Sequence, residues 1–322
     1  MIKQLLKKNP ILKKTYKRIK GKIAERNSFH FRGTFENRSH NSKYLCIVLA
    51  GYKPFLMEDV FGRIRAFQKD SMDMCIVTSG IYSDRIATLC SECGWSYLST
   101  KENNVSLVQN VAIRLHPAAE YIFKLDEDIF ITNGYFDRML LAYNQAMESE
   151  YFPGIIAPLL NVNGYSYVRI LKKLGIQEVY ANKFEYPKYA AGADRALEYD
   201  PQAAAFMWGD GGFVPQIDRL NEMVWKDPHE VLPCPIRFSI GAILFSRSLW
   251  EKMGYFRVDR QTNAMGADEA QICAYCLLES KPIMVSENIV VGHFSFGPQT
   301  KEMNKFYELN RDVFRICDAQ AN

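Results

Sequence analysis

The sequence predicts an α/β protein built on a parallel, doubly wound sheet, and three observations carry that expectation. Between residues 44 and 160, short apolar β-rich runs alternate with helical patterns, the signature of repeated β-α units. The first run, 44–50 (YLCIVLA), is apolar throughout and ends at Gly51, as a strand covered on both faces should. The run 121–132 (YIFKLDEDIFIT) then sets three consecutive acids, Asp126, Glu127 and Asp128, between two β-rich stretches. Three carboxylates inside a buried strand would repel one another and lose hydration, so the strand is expected to end at Leu125. That places the acids at its carboxyl edge, where open α/β sheets bind ligands. Asp126 and Asp128, two apart, then point the same way and can share a hard divalent cation with phosphate oxygens. A solvated acidic turn between two strands is the competing reading.

Taken in order, residues 1–26 (MIKQLLKKNPILKKTYKRIKGKIAER) align Leu12, Tyr16, Ile19 and Ile23 in a helical stripe among lysines, with Pro10 as a break. Such a helix suits an anionic membrane surface, or else packs on its own domain or a partner. Residues 27–43 read as a polar linker. A helix is expected over 58–69, where Val60, Ile64 and Phe67 share a side, then a strand over 72–78. Ser83 caps a helix over 83–93 that Gly94 stops. A short strand over 95–98 precedes a helix over 105–115, which ends before Pro117. After the acid-bearing strand come a helix over 135–147 and a strand over 155–160.

From 161 to 237 the rhythm is lost. This stretch holds many aromatics, a short helix over 167–174, the turn WGDGG at 208–212, and Pro215, Pro228, Pro233 and Pro235. Long irregular segments inside a compact domain are usually functional or disordered, and the aromatics argue against disorder. A substrate-binding insertion and a packing excursion both fit. Regularity returns with a strand over 238–245, a helix over 246–253 ended by Gly254, a helix over 270–278, and short strands over 283–285 and 289–291. A final helix is expected over 301–317. The implied organisation is a leader and linker (1–43), a catalytic domain (44–300) divided at 160 and 237, and a terminal helix (301–322).

Charge and cysteines narrow the classes. Forty Lys/Arg against thirty-six Asp/Glu give a formal +4. Residues 1–26 contain ten basic residues and one acid, a net +9, so the remainder is about −5. An acidic body with a basic leader does not match a nucleic-acid-binding domain. No run reaches the ~18–20 apolar residues of a membrane span, and no secretory signal is visible. Cys90-x-x-Cys93 and Cys273-x-x-Cys276 invite a zinc reading, but both fall in expected helices without the turn residues of a zinc knuckle. Free thiols in a reducing cytoplasm are the expectation.

The order of these pieces resembles the GT-A glycosyltransferases, family 2 most of all. The segment Asn110-Val111-Ala112-Ile113 resembles the helix such enzymes place before the metal-binding strand. The stretch GAILFSRSLWEKMGYF (241–256) resembles their strand and helix leading to a G-x-F turn. The stretch GADEAQICAYCLLESKPIMVSENIVVGHFSF (266–296) resembles the part carrying acceptor-activating carboxylates and a closing histidine. Together the segments span roughly 44–300. The resemblance implies a mixed, mostly parallel Rossmann-like sheet, a nucleotide-sugar donor and a divalent metal, Mn²⁺ or Mg²⁺, on a D-x-D cluster. It departs from the family in Asp268-Glu269, where glutamate usually precedes aspartate. It also departs in the first strand's AGYKPF ending, and in the absence of the usual acid pair after the second strand.

The resemblance implies Asp128 as direct metal ligand, Asp126 on ribose or on the metal through water, and His293 as a further ligand or diphosphate contact. Glu269 or Asp268 is the implied general base, Glu269 being favoured; a helix N-terminal acid that only complements the dipole is the alternative. Lys53 and Arg247 are placed to neutralise phosphate, and Tyr52 to stack on the base. Ser79 and Glu127 complete the donor set, while Trp208 and Asp210 are candidates for the acceptor site. The expected activity is metal-dependent, inverting transfer from a UDP-sugar to a saccharide or lipid-linked acceptor. It would serve surface polysaccharide synthesis at the cytoplasmic membrane face. A sugar-phosphate nucleotidyltransferase would need a glycine-rich basic loop after the first strand, which AGYKPF is not. A non-catalytic carbohydrate-binding protein of the same fold is the other alternative.

Overall fold

Strand direction decides where each loop of this protein emerges. The computed structural model describes residues 26–190, 194–259 and 266–317. Its strands are β1 (Gly33–Glu36), β2 (Tyr44–Leu49), β3 (Asp73–Ser79), β4 (Ser96–Thr100), β5 (Tyr121–Asp126), β6 (Ile129–Phe130), β7 (Ile155–Leu160), β8 (Val231–Pro233), β9 (Ala242–Ser246) and β10 (Ile283–His293). They form one sheet in the order β1-β4-β3-β2-β5-β9-β7-β10-β6, with β8 also on β10. β2 pairs in parallel with β3 and β5, β3 with β4, and β7 with β10. β9 runs antiparallel to both β5 and β7. The sheet is thus mixed and mostly parallel in its core, as expected. Every residue of β3, β7 and β10 is buried, the state a strand reaches when helices cover both faces.

Helices Met57–Phe67, Asp84–Cys93, Val105–Leu115 and Tyr135–Glu148 fill the crossovers. Ser83 accepts from the Ile86 N–H to cap the second, and Gly94 ends it in the left-handed region. Asn104 caps the third by accepting from Leu107 N–H. The eight cysteines are free thiols, and burial pushes Cys90 up to about 12.

Five expectations need correcting. The 27–43 linker contains β1, which pairs antiparallel with β4 at the sheet edge. Besides the expected helix, found at Ser166–Leu174, the irregular stretch 161–237 holds four more α-helices among the described residues: Gln177–Lys183, Ala196–Tyr199, Pro201–Met207 and Ile217–Trp225. Its aromatics Tyr167, Tyr180, Phe206 and Trp208 are buried, so they build core. The two short strands at 283–291 are one, β10, whose register on β7 shifts between Ser286 and Val290. The helix expected from 270 begins at Ala267, so Asp268 and Glu269 lie in its first turn. The tail is two helices, Thr300–Leu309 and Arg311–Phe314. The basic leader up to residue 25, and with it the membrane-surface expectation, lies outside the described residues.

Arg63 ties the tail to the sheet layers. It is almost fully buried and holds Asp218 through two bonds of 2.7 and 2.9 Å. It also donates to the carbonyls of Ile131, Phe314 and Arg315. All its donors therefore point at fixed oxygens, the condition under which a buried ion pair is tolerated. Replacing Asp218 by Ala leaves this guanidinium uncompensated. A loss of about 3–5 kcal/mol is expected, measured as a lower urea midpoint with an unchanged slope.

Candidate active site

β2 and β5 are parallel neighbours, with Leu49 opposite Asp126, so both chains leave the sheet at the same edge. β2 runs out into Gly51-Tyr52-Lys53, and β5 into Glu127-Asp128. The Glu127 carboxylate fastens the two together by accepting the N–H groups of Gly51 at 2.7 Å and Tyr52 at 2.9 Å. Gly51 has φ +115, a conformation that strains any other residue, and a Cβ there would also push on Ile81 Cδ1 at 2.5 Å. Burial pushes the Glu127 carboxyl up, and the backbone donors offset only part of that.

The D-x-D acids each meet a lysine. Lys124, on β5 and buried, bonds Asp126 Oδ1 at 2.6 Å and the Ile240 carbonyl at 2.9 Å. Burial works against its charge, but Asp126, Asp268 and Glu269 outweigh it and the ammonium is raised above its ordinary value. Asp126 is itself raised, first by burial and then by Asp128 and Asp268, against the pull of Lys124. Asp128 is buried, and its Oδ2 takes the ammonium of Lys53. Burial opposes ionisation of Asp128, yet Lys53, His293 and Lys124 together hold its carboxyl below the usual range.

His293 closes β10 beside this pair. Its Nε2 stands 3.6 Å from the same Asp128 Oδ2. Its Nδ1 lies 2.6 Å from the Val162 carbonyl, which can only accept, so Nδ1 carries the proton. Nε2 is the ring nitrogen turned towards Asp128. The backbone is fixed as well: Asn161 accepts His293 N–H at 2.8 Å, and Asp128 O accepts Phe294 N–H at 3.0 Å. A carboxylate oxygen and an imidazole nitrogen facing one slot suit Mn²⁺ or Mg²⁺ whose other ligands are diphosphate oxygens and water. Among the described residues no group of three or more His, Cys, Asp or Glu could hold a metal ion without such help.

Across the edge lies the acid pair of helix Ala267–Leu278. Asp268 is buried and accepts from Gln109 Nε2 at 2.8 Å. Glu269 is engaged at both oxygens, by Arg237 Nε at 2.5 Å and by Ile240 N–H at 3.3 Å. Gln109, in the middle of helix Val105–Leu115, was not singled out from sequence, because nothing in a helical pattern says which partner a buried amide meets. Tyr52 is 55% exposed and donates to the Ser79 carbonyl; its hydroxyl also meets Asn103 Oδ1 at 3.2 Å. Ser79 Oγ bonds the same Asn103 oxygen, a second residue that sequence reading missed.

Three candidates behave differently. Arg247 donates to the carbonyls of Ala119, Ile113 and His116 at the opposite end of the sheet. The reversal of β9 puts it there, since Ser246 pairs with Tyr121 at the start of β5. Trp208 is buried and offers no face to a sugar. Its ring packs on Phe130 and Phe314, and its Nε1–H reaches the His293 and Phe294 carbonyls at 3.1 Å. A Cβ on Gly292 would stand 2.2 Å from this indole, so glycine there admits the ring. Asp210 is exposed in the turn after Trp208, with no bond to the acid cluster among the described residues.

No family model and no curated protein matches this chain. Among solved structures, it is similar to a mannosyltransferase, PcManGT from Pyrobaculum calidifontis in complex with GDP-Man and Mn²⁺ (13% identity, 85% of this chain and 63% of that one, TM-score 0.45). It is also similar to residues 1–349 of S. aureus TarS in complex with UDP (10% identity, 84% and 64%, TM-score 0.46). A third is CMP:2-keto-3-deoxy-manno-octonic acid synthetase complexed with CTP (12% identity, 84% and 99%, TM-score 0.44). The chain spans less than two thirds of the length of the first two.

The depressed Asp128 carboxyl gives a stability test. Its folded value lies below its unfolded one, so the pairing contributes above 3.8, the ordinary aspartate value, and is lost as pH falls through the folded value. Wild type should be more stable than Asp128→Asn near neutrality, where the Lys53 pairing is intact. Denaturant melts across pH should show that gap closing below 3.8.

Proposed function

We propose that this protein is a metal-dependent glycosyltransferase that moves a sugar from a nucleotide-sugar donor to a hydroxyl acceptor. The observation that carries the reading is one sheet edge. Asp126, Asp128 and His293 stand there with Lys53, and Asp268 faces them close enough to act on both Lys124 and Asp126. Such an edge binds a diphosphate on one side and deprotonates a nucleophile on the other.

Asp128 Oδ2 and His293 Nε2 would hold the divalent ion, which supplies Lewis-acid stabilisation of the departing diphosphate. Lys53 reaches the same oxygens with its ammonium. Asp126 is kept in place by Lys124 to bond ribose, or the ion through water. Exposed Tyr52 offers a ring face to the base beside Ser79, and Asn103 lies at that rim. We assign the general base to Asp268 in preference to Glu269, which Arg237 and Ile240 occupy at both oxygens. The acceptor hydroxyl gives its proton to Asp268 as its oxygen bonds the anomeric carbon. The bond from that carbon to the diphosphate oxygen breaks with its electrons leaving on the nucleotide. Attack opposite the leaving group inverts the centre. A UDP-sugar donor, a saccharide or lipid-linked acceptor, and a role in surface polysaccharide synthesis belong to the same proposal. So does peripheral attachment of residues 1–26 to an anionic inner membrane face; among the described residues no helix is long and apolar enough to cross a membrane.

Calorimetric titration with a panel of nucleotides and nucleotide sugars, with Mn²⁺ and with chelator, tests the reading. Metal-dependent binding of one sugar nucleotide, lost in Asp128→Ala, is expected. No binding to any of them sinks it. With donor and acceptor in hand, Asp268→Asn should lower kcat by about 10²–10⁴ with donor affinity retained, and Glu269→Gln should lower it less.

A further inference from the structure

We propose that Lys53 is an exchangeable resident cation: its ammonium holds Asp128 in the free protein and passes to the donor diphosphate when a divalent ion takes that carboxylate. The second half rests on the transferase reading above; the first does not.

The contrast between the two lysines that pair with the D-x-D acids carries the inference. Lys124 has 3% of its side chain exposed and is fixed by a second acceptor, the Ile240 carbonyl, so it cannot leave Asp126 without abandoning a buried bond. The Lys53 side chain is 24% exposed at the rim, and among the described residues Asp128 is the partner its ammonium bonds. It therefore has one attachment and a side chain partly in contact with solvent. The oxygen it holds, Asp128 Oδ2, is the one His293 Nε2 faces at 3.6 Å. The ammonium thus neutralises the atom that a metal ion would need. Its backbone does not have to move, because Glu127 clamps the Gly51 and Tyr52 amides just before it. The exchange is confined to a flexible four-carbon stem.

Two consequences separate this from a static ion pair. A divalent ion alone has to displace an ammonium, so its affinity is held down. A nucleoside diphosphate gives that ammonium a new partner, so ion and nucleotide bind with positive coupling, each strengthening the other by the same factor.

The test measures Mn²⁺ binding by the electron paramagnetic resonance of free Mn²⁺, on the full chain without nucleotide. Lys53→Met should bind Mn²⁺ roughly tenfold tighter than wild type, the scale of removing one competing charge. Lys53→Arg, which keeps a cation, should stay near wild type. Adding Asp128→Ala to Lys53→Met should abolish the gain. With UDP as probe, the strengthening of Mn²⁺ binding seen in wild type should shrink in Lys53→Met. Mn²⁺ affinity in Lys53→Met equal to or below wild type overturns the proposal, as does a gain that survives Asp128→Ala. Absence of binding to UDP, GDP and CDP in every variant would count against the transferase reading, while the metal arm still decides whether Lys53 competes.

Discussion

Neutralisation of crowded carboxylates at one sheet edge is the constraint on which this structure turns. Asp126, Glu127 and Asp128 are consecutive, with Asp268 nearby, and burial raises the cost of each charge. The protein answers in three different ways. Asp126 meets a buried lysine from its own strand, Asp128 meets a lysine from the neighbouring strand's loop, and Glu127 meets backbone amides. Each solution recruits another piece of chain. Lys124 needs the Ile240 carbonyl and so needs β9; Lys53 needs Gly51 to turn; His293 needs Asn161 and Val162 at the end of β7.

That division also gives the acids unequal chemistry. Asp126 is locked, whereas Asp128 faces a histidine and a movable ammonium. Glu269 is saturated by Arg237 and Ile240, whereas Asp268 receives one amide from Gln109. Neighbouring carboxylates in sequence are therefore distinguished by their partners.

Much of the first half was legible because local signals suffice there. Continuous apolar runs gave β2 and β7, a serine and a glycine bracketed the helix ending at Cys93, and the acids marked the end of β5 to within one residue, Asp126 being its last instead of Leu125. The features that escaped depend on non-local pairing. β1 is a polar edge strand that only β4 reveals, and Gln109 is an ordinary buried helix residue until Asp268 approaches it. Arg247 was misplaced because the direction of β9 is a property of the sheet. Trp208 looked like a sugar platform because a residue beside a glycine-rich turn gives no sign of the Gly292 notch that receives it. The helical layer between β7 and β8 was hidden by its prolines and short helices, whose apolar positions rarely complete two turns.

The reversed strand β9 has a consequence for how the chain comes off the ribosome. β5 is flanked by β2 on one side and by β9 on the other, although β7 precedes β9 in the chain. Until residue 246 has been made, one edge of β5 has no hydrogen-bonding neighbour in the finished sheet, and it carries an apolar run from Tyr121 to Leu125. Such an edge invites pairing with another chain. The charged side chain of Lys124 interrupts that run while the edge waits, and a charge on an open edge disfavours pairing with another chain.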